Sequence, residues 1–137
     1  MTEYPQLQNT VLDTTKVREL AEFYRELLGL CYRPGDEPPA DGTADDPDWL
    51  VLMDAEGMRK LAFQYADSVR RTTWPSSEVP MQLHLDFTVP SVAELQRQRQ
   101  RAEALGAELV FDRTDDPDEP LYVFADPAGH PFCIFVA

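Results

Sequence analysis

The feature that most constrains this chain is that its two halves carry the same short segments in the same order. The matched segments are Val17–Leu20 with Val92–Leu95, Leu28-Gly29 with Leu105-Gly106, and Asp54–Gly57 with Asp126–Gly129. Because the order is kept and only the spacings differ, we infer a duplicated module that has acquired insertions. Two such modules create equivalent positions, and we expect a cleft shared between them to hold a ligand.

The chain's length and composition are those of one globular domain. It has 137 residues, of which 43% are hydrophobic, enough for a real core. No apolar run approaches the roughly 18 residues that a membrane-spanning helix requires. The N-terminal segment Met1–Pro5 lacks the basic start and apolar stretch of a signal peptide. We therefore expect a cytoplasmic protein.

Net charge excludes some partners and favours others. The formal charge is −13, which argues against nucleic acid, whose binding depends on Lys and Arg contacts to phosphates. The same charge disfavours anionic membrane surfaces. It would attract a cationic small molecule, although an acidic surface also serves solubility alone.

The two cysteines, Cys31 and Cys133, do not indicate a disulfide or a zinc knuckle. In a cytoplasmic protein we expect reduced thiols. The two residues also lack the close paired spacing of a structural zinc site.

The first half reads as a strand, a helix and three further strands. Apolar residues from Val17 to Leu28 recur at three- and four-residue steps, Thr14 or Thr15 is a suitable N-cap, and Gly29 ends the helix. Segment 34–48 contains four prolines, two glycines and six acids, which predicts an exposed loop. The predicted strands are Leu7–Leu12, Leu30–Arg33, Trp49–Met53 and Lys60–Ala66.

The second half repeats this α+β plan, with a helix that starts at Pro90-Ser91 and ends at Leu105. The predicted strands are Met81–Val89, Glu108–Asp112, Leu121–Ala125 and Phe132–Val136. Alternation along the first of them places Gln82, His84 and Asp86 on one face, with Leu83, Leu85 and Phe87 beneath the helix. A polar row on an interior face is costly unless it is hydrated or paired, which indicates a wet cavity or a polar ligand.

Three segments carry a family resemblance. Glu22–Gly29 resembles the first-helix signature of the vicinal-oxygen-chelate superfamily, which includes glyoxalase I, extradiol dioxygenases and bleomycin-resistance proteins. Leu83–Phe87 resembles its fifth strand, and Phe124–Cys133 resembles the closing turn and strand of its glyoxalase-like proteins. The resemblance implies two tandem βαβββ modules whose curved mixed sheets enclose a cup. We expect one glyoxalase-like domain over residues 1–137, with module one at about 5–67, a linker at about 68–79 and module two at about 80–137.

The resemblance also implies a ligand set. Metal-dependent members place His, Gln or Glu at positions that correspond here to Asn9, Gln64, His84 and Cys133. Amides are poor donors for transition metals, so we expect no metal and no cofactor. Trp74 could stack on a planar ligand, or could seal the joint between modules or a dimer contact. The predicted ligand-binding residues are Asn9, Trp49, Gln64, Trp74, His84, Asp86, Cys133 and Phe135.

The bleomycin-resistance branch, which the resemblance brings in, binds drugs without chemistry and as homodimers. We therefore expect a homodimer that sequesters an aromatic or cationic natural product or antibiotic and has no catalytic residues. Two enzymatic alternatives stay open: a metal-dependent lyase or dioxygenase, and a metal-free enzyme of natural-product metabolism in which His84, beside Asp86, acts as a base. A regulatory module that binds a metabolite is a further alternative.

Overall fold

A computed structural model of the protein describes residues 3–137. Met1 and Thr2, which are part of the segment predicted not to be a signal peptide, lie outside the described residues. The chain forms two compact units, of which the first ends at Asp67 and the second begins at Ser68. The segment predicted as a linker thus belongs to the second unit.

The first unit consists of one helix and a four-stranded mixed sheet. Its strand order is β1-β4-β3-β2, in which β1 pairs with β4 in parallel and the other neighbours are antiparallel. The elements in chain order are β1 (Thr10–Thr14), α1 (Val17–Leu28), β2 (Cys31–Tyr32), β3 (Trp49–Met53) and β4 (Arg59–Tyr65).

The second unit repeats this topology. Its strand order is β5-β8-β7-β6, again with the first and last strands in parallel. Two βαβββ modules confirm the predicted α+β class. The elements are β5 (Leu85–Val89), α2 (Val92–Leu105), β6 (Glu108–Asp112), β7 (Leu121–Ala125) and β8 (Pro131–Val136).

Each helix covers one face of its own sheet, but the two helices contribute unequally. The apolar stripe of α1 is buried, and the Tyr24 ring stacks on Phe63 with 6.0 Å between centroids. On α2 only Leu95 and Ala102 are buried, and the sheet supplies the aromatic core, where Phe124 stacks on Phe132 at 5.1 Å. Each large apolar side chain buried in this way stabilises the fold by about 1.5–3 kcal/mol.

The repeated Asp-containing segments form the same turn in both units. The Oδ1 atom of Asp54 accepts hydrogen bonds from the backbone N–H groups two and four residues further along, at 3.0 and 2.9 Å. Asp126 makes the same two bonds at 2.9 and 3.0 Å, and it is fully buried. These turns connect the last two strands of each module. The sequence repeat therefore encodes the connection that sets their register.

Two predictions at the start of the first unit are wrong. The first strand begins at Thr10, and Leu7, predicted to begin it, is 93% exposed. Neither threonine is the N-cap of α1, because that position is held by Lys16, which makes no side-chain capping bond. The Thr14 hydroxyl instead accepts a hydrogen bond from the Lys16 N–H at 3.0 Å, in a turn before the helix.

The predicted strand at Met81–Val89 is also too long. Strand β5 begins at Leu85, because Gln82 adopts a left-handed φ of 55° that breaks the alternation. Leu83 was expected beneath the helix and is 62% exposed. His84 consequently lies just before the strand, and only Asp86 of the predicted polar row lies within it.

The acidic segment 34–48 has no helix or strand, as predicted, but it is tethered to α1. Arg18 donates to the Asp45 carboxylate and to the Asp36 backbone carbonyl, both at 2.6 Å, and to the Glu37 carbonyl at 3.4 Å. Its guanidinium also lies 4.9 Å from the centroid of the Tyr32 ring. A single arginine thus holds the loop to the helix.

We expect Arg18→Ala to expose the loop to proteolysis. Without the guanidinium, the Asp45 carboxylate loses its hydrogen bonds to Arg18, at 2.6 and 3.2 Å. An endopeptidase that cleaves before aspartate should therefore cut the Ala44–Asp45 bond several-fold faster than in the parent protein. Lys16→Ala is the matched control, since Lys16 forms its ion pair with the exposed Glu19 at the same end of the helix. Equal cleavage rates in the parent and in Arg18→Ala would contradict the tether.

Candidate functional site

The second unit contains a pocket with a volume of about 290 Å³. Its lining comes from β5, β7, β8, the segment before β5 and the loop after β6. The lining residues are Trp74, Met81, His84, Asp86, Arg113, Glu119, Leu121, Val123, Cys133 and Phe135.

The floor of the pocket is one face of the β7–β8 pair. In the antiparallel register Val123 lies opposite Cys133, and Leu121 lies opposite Phe135. Alternate residues of a strand point to the same side, so these four share the pocket face. Cys133 and Phe135, both predicted as ligand-binding residues, thus lie on the same face of β8.

Trp74 and Met81 extend this apolar floor into a wall. Both pack against the buried cluster of Leu121, Val123 and Cys133. The Trp74 ring meets Phe111 edge-to-face at 5.7 Å, and its backbone N–H donates to the Thr72 hydroxyl at 3.1 Å. Trp74 is therefore held in place with part of its ring available to a ligand.

The opposite end of the pocket is polar. His84 Nε2 lies 3.2 Å from Asp86 Oδ1, and Asp86 lies beside Cys133 in the parallel β5–β8 register. One ligand atom from each of the three residues falls within 4.8 Å of the others. His84 and Asp86 side chains are 40% and 55% exposed, while Cys133 is 8% exposed, so solvent reaches the group from one side.

Charges at the rim favour a cation. Arg113 donates to Asp116 at 3.1 Å, which offsets its positive charge with a carboxylate outside the pocket lining. Glu119 has no ion pair among residues 3–137, and Asp86 carries a second carboxylate. The unmatched charge at the pocket is therefore negative.

The Cys133 thiol is held in its protonated form. Burial is the main cause that raises its pKa, to about 11, and the neighbouring negative charge of Asp86 raises it further. At neutral pH the thiolate fraction is then very small. Cys133 therefore lines the floor of the pocket and is not an activated nucleophile.

The structure brings together five of the eight predicted binding residues. Trp74, His84, Asp86, Cys133 and Phe135 all line the pocket of the second unit. The other three belong to the first unit, where Trp49 and Gln64 are register partners and Asn9 precedes β1. The buried side-chain oxygen of Asn9 has no hydrogen-bond partner among the described residues.

Sequence reasoning missed half of the lining. Alternation along the predicted strand Leu121–Ala125 would have identified Leu121 and Val123, because they must share a face with each other. Met81, Arg113 and Glu119 lie outside regular elements, where no periodic pattern indicates the direction of a side chain.

Comparison with known proteins identifies a family for this chain. The model of a family described as "Glyoxalase-like domain" matches residues 9–135. No curated protein matches the chain. In addition, no helix within residues 3–137 is long and apolar enough to cross a membrane.

Several solved structures share the fold of this chain. A glyoxalase/bleomycin resistance/dioxygenase family enzyme from Burkholderia phytofirmans PsJN has a TM-score of 0.69 at 15% identity, covering 96% of this chain and 98% of that one. The fosfomycin resistance protein FosX from Listeria monocytogenes, complexed with Mn(II) and sulfate, has a TM-score of 0.65 at 17% identity, covering 100% and 94%. A mutant of that FosX, complexed with Mn(II) and 1S,2S-dihydroxypropylphosphonic acid, gives 0.65 at 17% identity, covering 96% and 92%.

We expect the two cysteines to differ sharply in reactivity. Cys31 is exposed and Cys133 is buried with a raised pKa, so iodoacetamide at neutral pH should label Cys31 at least about tenfold faster. Peptide mass spectrometry after timed quenching measures both rates in one sample. In denaturant the rates should become similar. Equal labelling of the folded protein would show that Cys133 is not shielded.

Proposed function

The chain belongs to the glyoxalase-like domain family of the vicinal-oxygen-chelate superfamily, and from this premise we propose that it binds and sequesters an organic molecule in the pocket of its second unit. The most specific form of the proposal is sequestration of a basic aromatic antibiotic or natural product, without a metal ion. The observation that carries it is the combination, in one pocket, of an apolar aromatic wall and unmatched carboxylates. The homodimeric state and the cytoplasmic location stay predictions.

The apolar wall supports a planar ligand. Leu121, Val123 and Phe135 offer a flat floor, and Trp74 stands beside them, fixed by its contact with Phe111. A preformed aromatic surface of this kind binds planar groups by stacking and burial. The volume of about 290 Å³ is close to the lower end of ordinary ligand pockets, which suits a ring system with a short substituent.

The carboxylates support a positive charge on that ligand. Asp86 and Glu119 lie at the rim, and the chain as a whole carries a formal charge of −13. Both contributions attract cations and repel anions. A phosphonate, such as the acid in the FosX mutant complex, is an anion and is therefore disfavoured here.

The donor atoms of the pocket do not fit the manganese of the FosX complexes. Mn(II) prefers carboxylate, carbonyl, water and imidazole ligands. The second unit offers one imidazole, one carboxylate and a thiol that is protonated at neutral pH. The proposed binding therefore includes no step through such an ion.

Titration of tryptophan fluorescence tests the proposal. In the presence of a metal chelator, a planar aromatic cation should bind with a micromolar or lower Kd. It should bind more tightly than its neutral analogue or a phosphonate. The affinity should fall as salt is raised from about 20 to about 500 mM, and Asp86→Asn should weaken it by up to about fivefold. The change in fluorescence on ligand binding should disappear in Trp74→Phe and persist in the matched variant Trp49→Phe.

Two outcomes would count against the proposal. If no member of a panel of aromatic and basic antibiotics binds in the micromolar range, sequestration fails. If binding appears only after Mn(II) is added, the metal-free form of the proposal fails, and the metal-dependent enzyme becomes the better account.

The contact between His84 and Asp86 favours a second candidate function, proton abstraction from the bound molecule. At 3.2 Å, Asp86 can hold the imidazole with its proton on Nε2, which leaves Nδ1 as a base. A ligand found by titration would then exchange a carbon-bound hydrogen in heavy water, detected by mass spectrometry. Exchange should cease in His84→Ala while binding persists. If the parent protein shows no hydrogen exchange, proton abstraction is wrong, and sequestration without catalysis is the better account.

A further inference from the structure

We propose that Gly129, assisted by Thr72, positions the Trp74 ring as the stacking wall of the pocket. In the second unit the turn Asp126–Gly129 thus does more than connect β7 to β8, because the segment that carries Trp74 lies across it. This inference rests on the proposed function, since Trp74 lines the proposed binding pocket. Its structural basis is a close approach of two backbone segments, which involves no ligand.

The chain crosses directly over Gly129. A Cβ atom placed on this glycine would lie 2.7 Å from Arg71 Cγ and 2.8 Å from Arg71 Cα, and contacts this short are essentially never observed for a real Cβ atom. Because the Cα atom belongs to the backbone, rotation of the Arg71 side chain cannot relieve the contact. The Thr72 N–H also donates a hydrogen bond to the Gly129 carbonyl at 3.2 Å. The crossing therefore requires glycine at this position.

The equivalent turn of the first unit has no such crossing. Gly57 and Gly129 occupy the same place in the repeated turn, with left-handed φ values of 80° and 95°. Gly57 is exposed, and a Cβ atom there would lie more than 4 Å from every residue of 3–137 other than its chain neighbours, whereas Gly129 is buried. Backbone conformation alone accounts for the glycine in the first unit. In the second unit, the approach of Arg71 is an additional reason.

The segment beyond the crossing is short and closed by hydrogen bonds. Only Thr72 and Thr73 separate Arg71 from Trp74. The Thr72 hydroxyl accepts from the Trp74 N–H and donates to the Val79 carbonyl, both at 3.1 Å. The Thr73 N–H donates to the same carbonyl at 2.8 Å, and the Val79 N–H donates to the Thr73 hydroxyl at 2.8 Å. A loop closed in this way moves as a unit, so a shift at Arg71 displaces the Trp74 ring.

A second and weaker anchor joins this segment to β6. The Arg71 guanidinium donates to the Glu108 carboxylate at 2.8 Å, but the two side chains are 44% and 67% exposed, so the ion pair contributes little. Phe111, on the same strand, contacts the Trp74 ring. The backbone crossing at Gly129 is therefore the stronger constraint on the position of the ring.

Fluorescence of Trp74 tests the anchor without a ligand. Trp49→Phe leaves Trp74 as the only tryptophan, and acrylamide quenching then reports the exposure of its ring. In this background Gly129→Ala should raise the quenching constant at least about twofold, because the ring leaves its apolar contacts. Gly57→Ala is the matched control, with the same left-handed strain in the other unit, and should leave quenching unchanged. An unchanged constant in Gly129→Ala, or an equal rise in Gly57→Ala, would overturn the proposal.

Thr72 provides a second test that introduces no backbone strain. Thr72→Val removes the hydroxyl that accepts the Trp74 N–H and keeps the shape of the side chain, whereas Thr72→Ser keeps the hydroxyl. Quenching of Trp74 should rise in Thr72→Val and stay at the parent value in Thr72→Ser. Circular dichroism checks that each variant is folded. If Gly129→Ala does not fold, this pair decides the proposal, and equal quenching in the two variants would contradict it.

Ligand binding separates this inference from the proposed function. The probe is proflavine, a planar aromatic cation whose own visible fluorescence reports binding. Gly129→Ala should weaken its binding about threefold to tenfold relative to Gly57→Ala, since a displaced Trp74 ring stacks less well. Increased quenching with unchanged proflavine affinity would overturn the role of the ring as a stacking wall. If proflavine does not bind the parent protein, the proposed function is contradicted for this ligand, and the quenching measurements alone decide the anchor.

Discussion

The parallel pairing of β5 with β8 is the contact on which the pocket depends. Parallel neighbours cannot be joined by a tight turn, so α2, β6 and β7 must intervene before the chain returns beside β5. That return places Asp86 next to Cys133 and makes β8 an inner strand, with β7 on its other side. The polar end of the pocket thus lies where β8 pairs with β5, and the apolar floor lies where β8 pairs with β7.

The two modules share this parallel strand pairing but differ in the side chains at the paired positions. The pair Asp86–Cys133 is the second in the β5–β8 register, and the second pair in the β1–β4 register is Val11–Ala62. Equal backbone geometry therefore supports a polar pair in one unit and an apolar pair in the other. The residue that precedes β1 at the position equivalent to His84 is Asn9. The duplicated modules therefore have the same backbone framework, and they differ in a few side chains that make the second unit polar at this position.

The pocket combines two recognition elements that make different demands. Trp74, held against Phe111, needs only a planar apolar partner. The polar end beside Cys133 carries the imidazole of His84 and the carboxylate of Asp86, while the buried thiol stays protonated. Arg113 is paired with Asp116, so it does little to cancel the negative rim.

The sequence alone determined the module plan, because the repeated Asp turns and the glycines after each helix make local hydrogen bonds that neighbouring residues specify. It also indicated that Cys133 and Phe135 share a face, since alternation is a property of any strand. Only the tertiary structure decided where β5 begins, because the left-handed turn at Gln82 has no periodic signal. It alone also placed Met81, Arg113 and Glu119 at the pocket and joined Arg18 of α1 to the acidic loop. Each of these contacts involves an irregular segment, whose direction is set by packing and not by its own sequence.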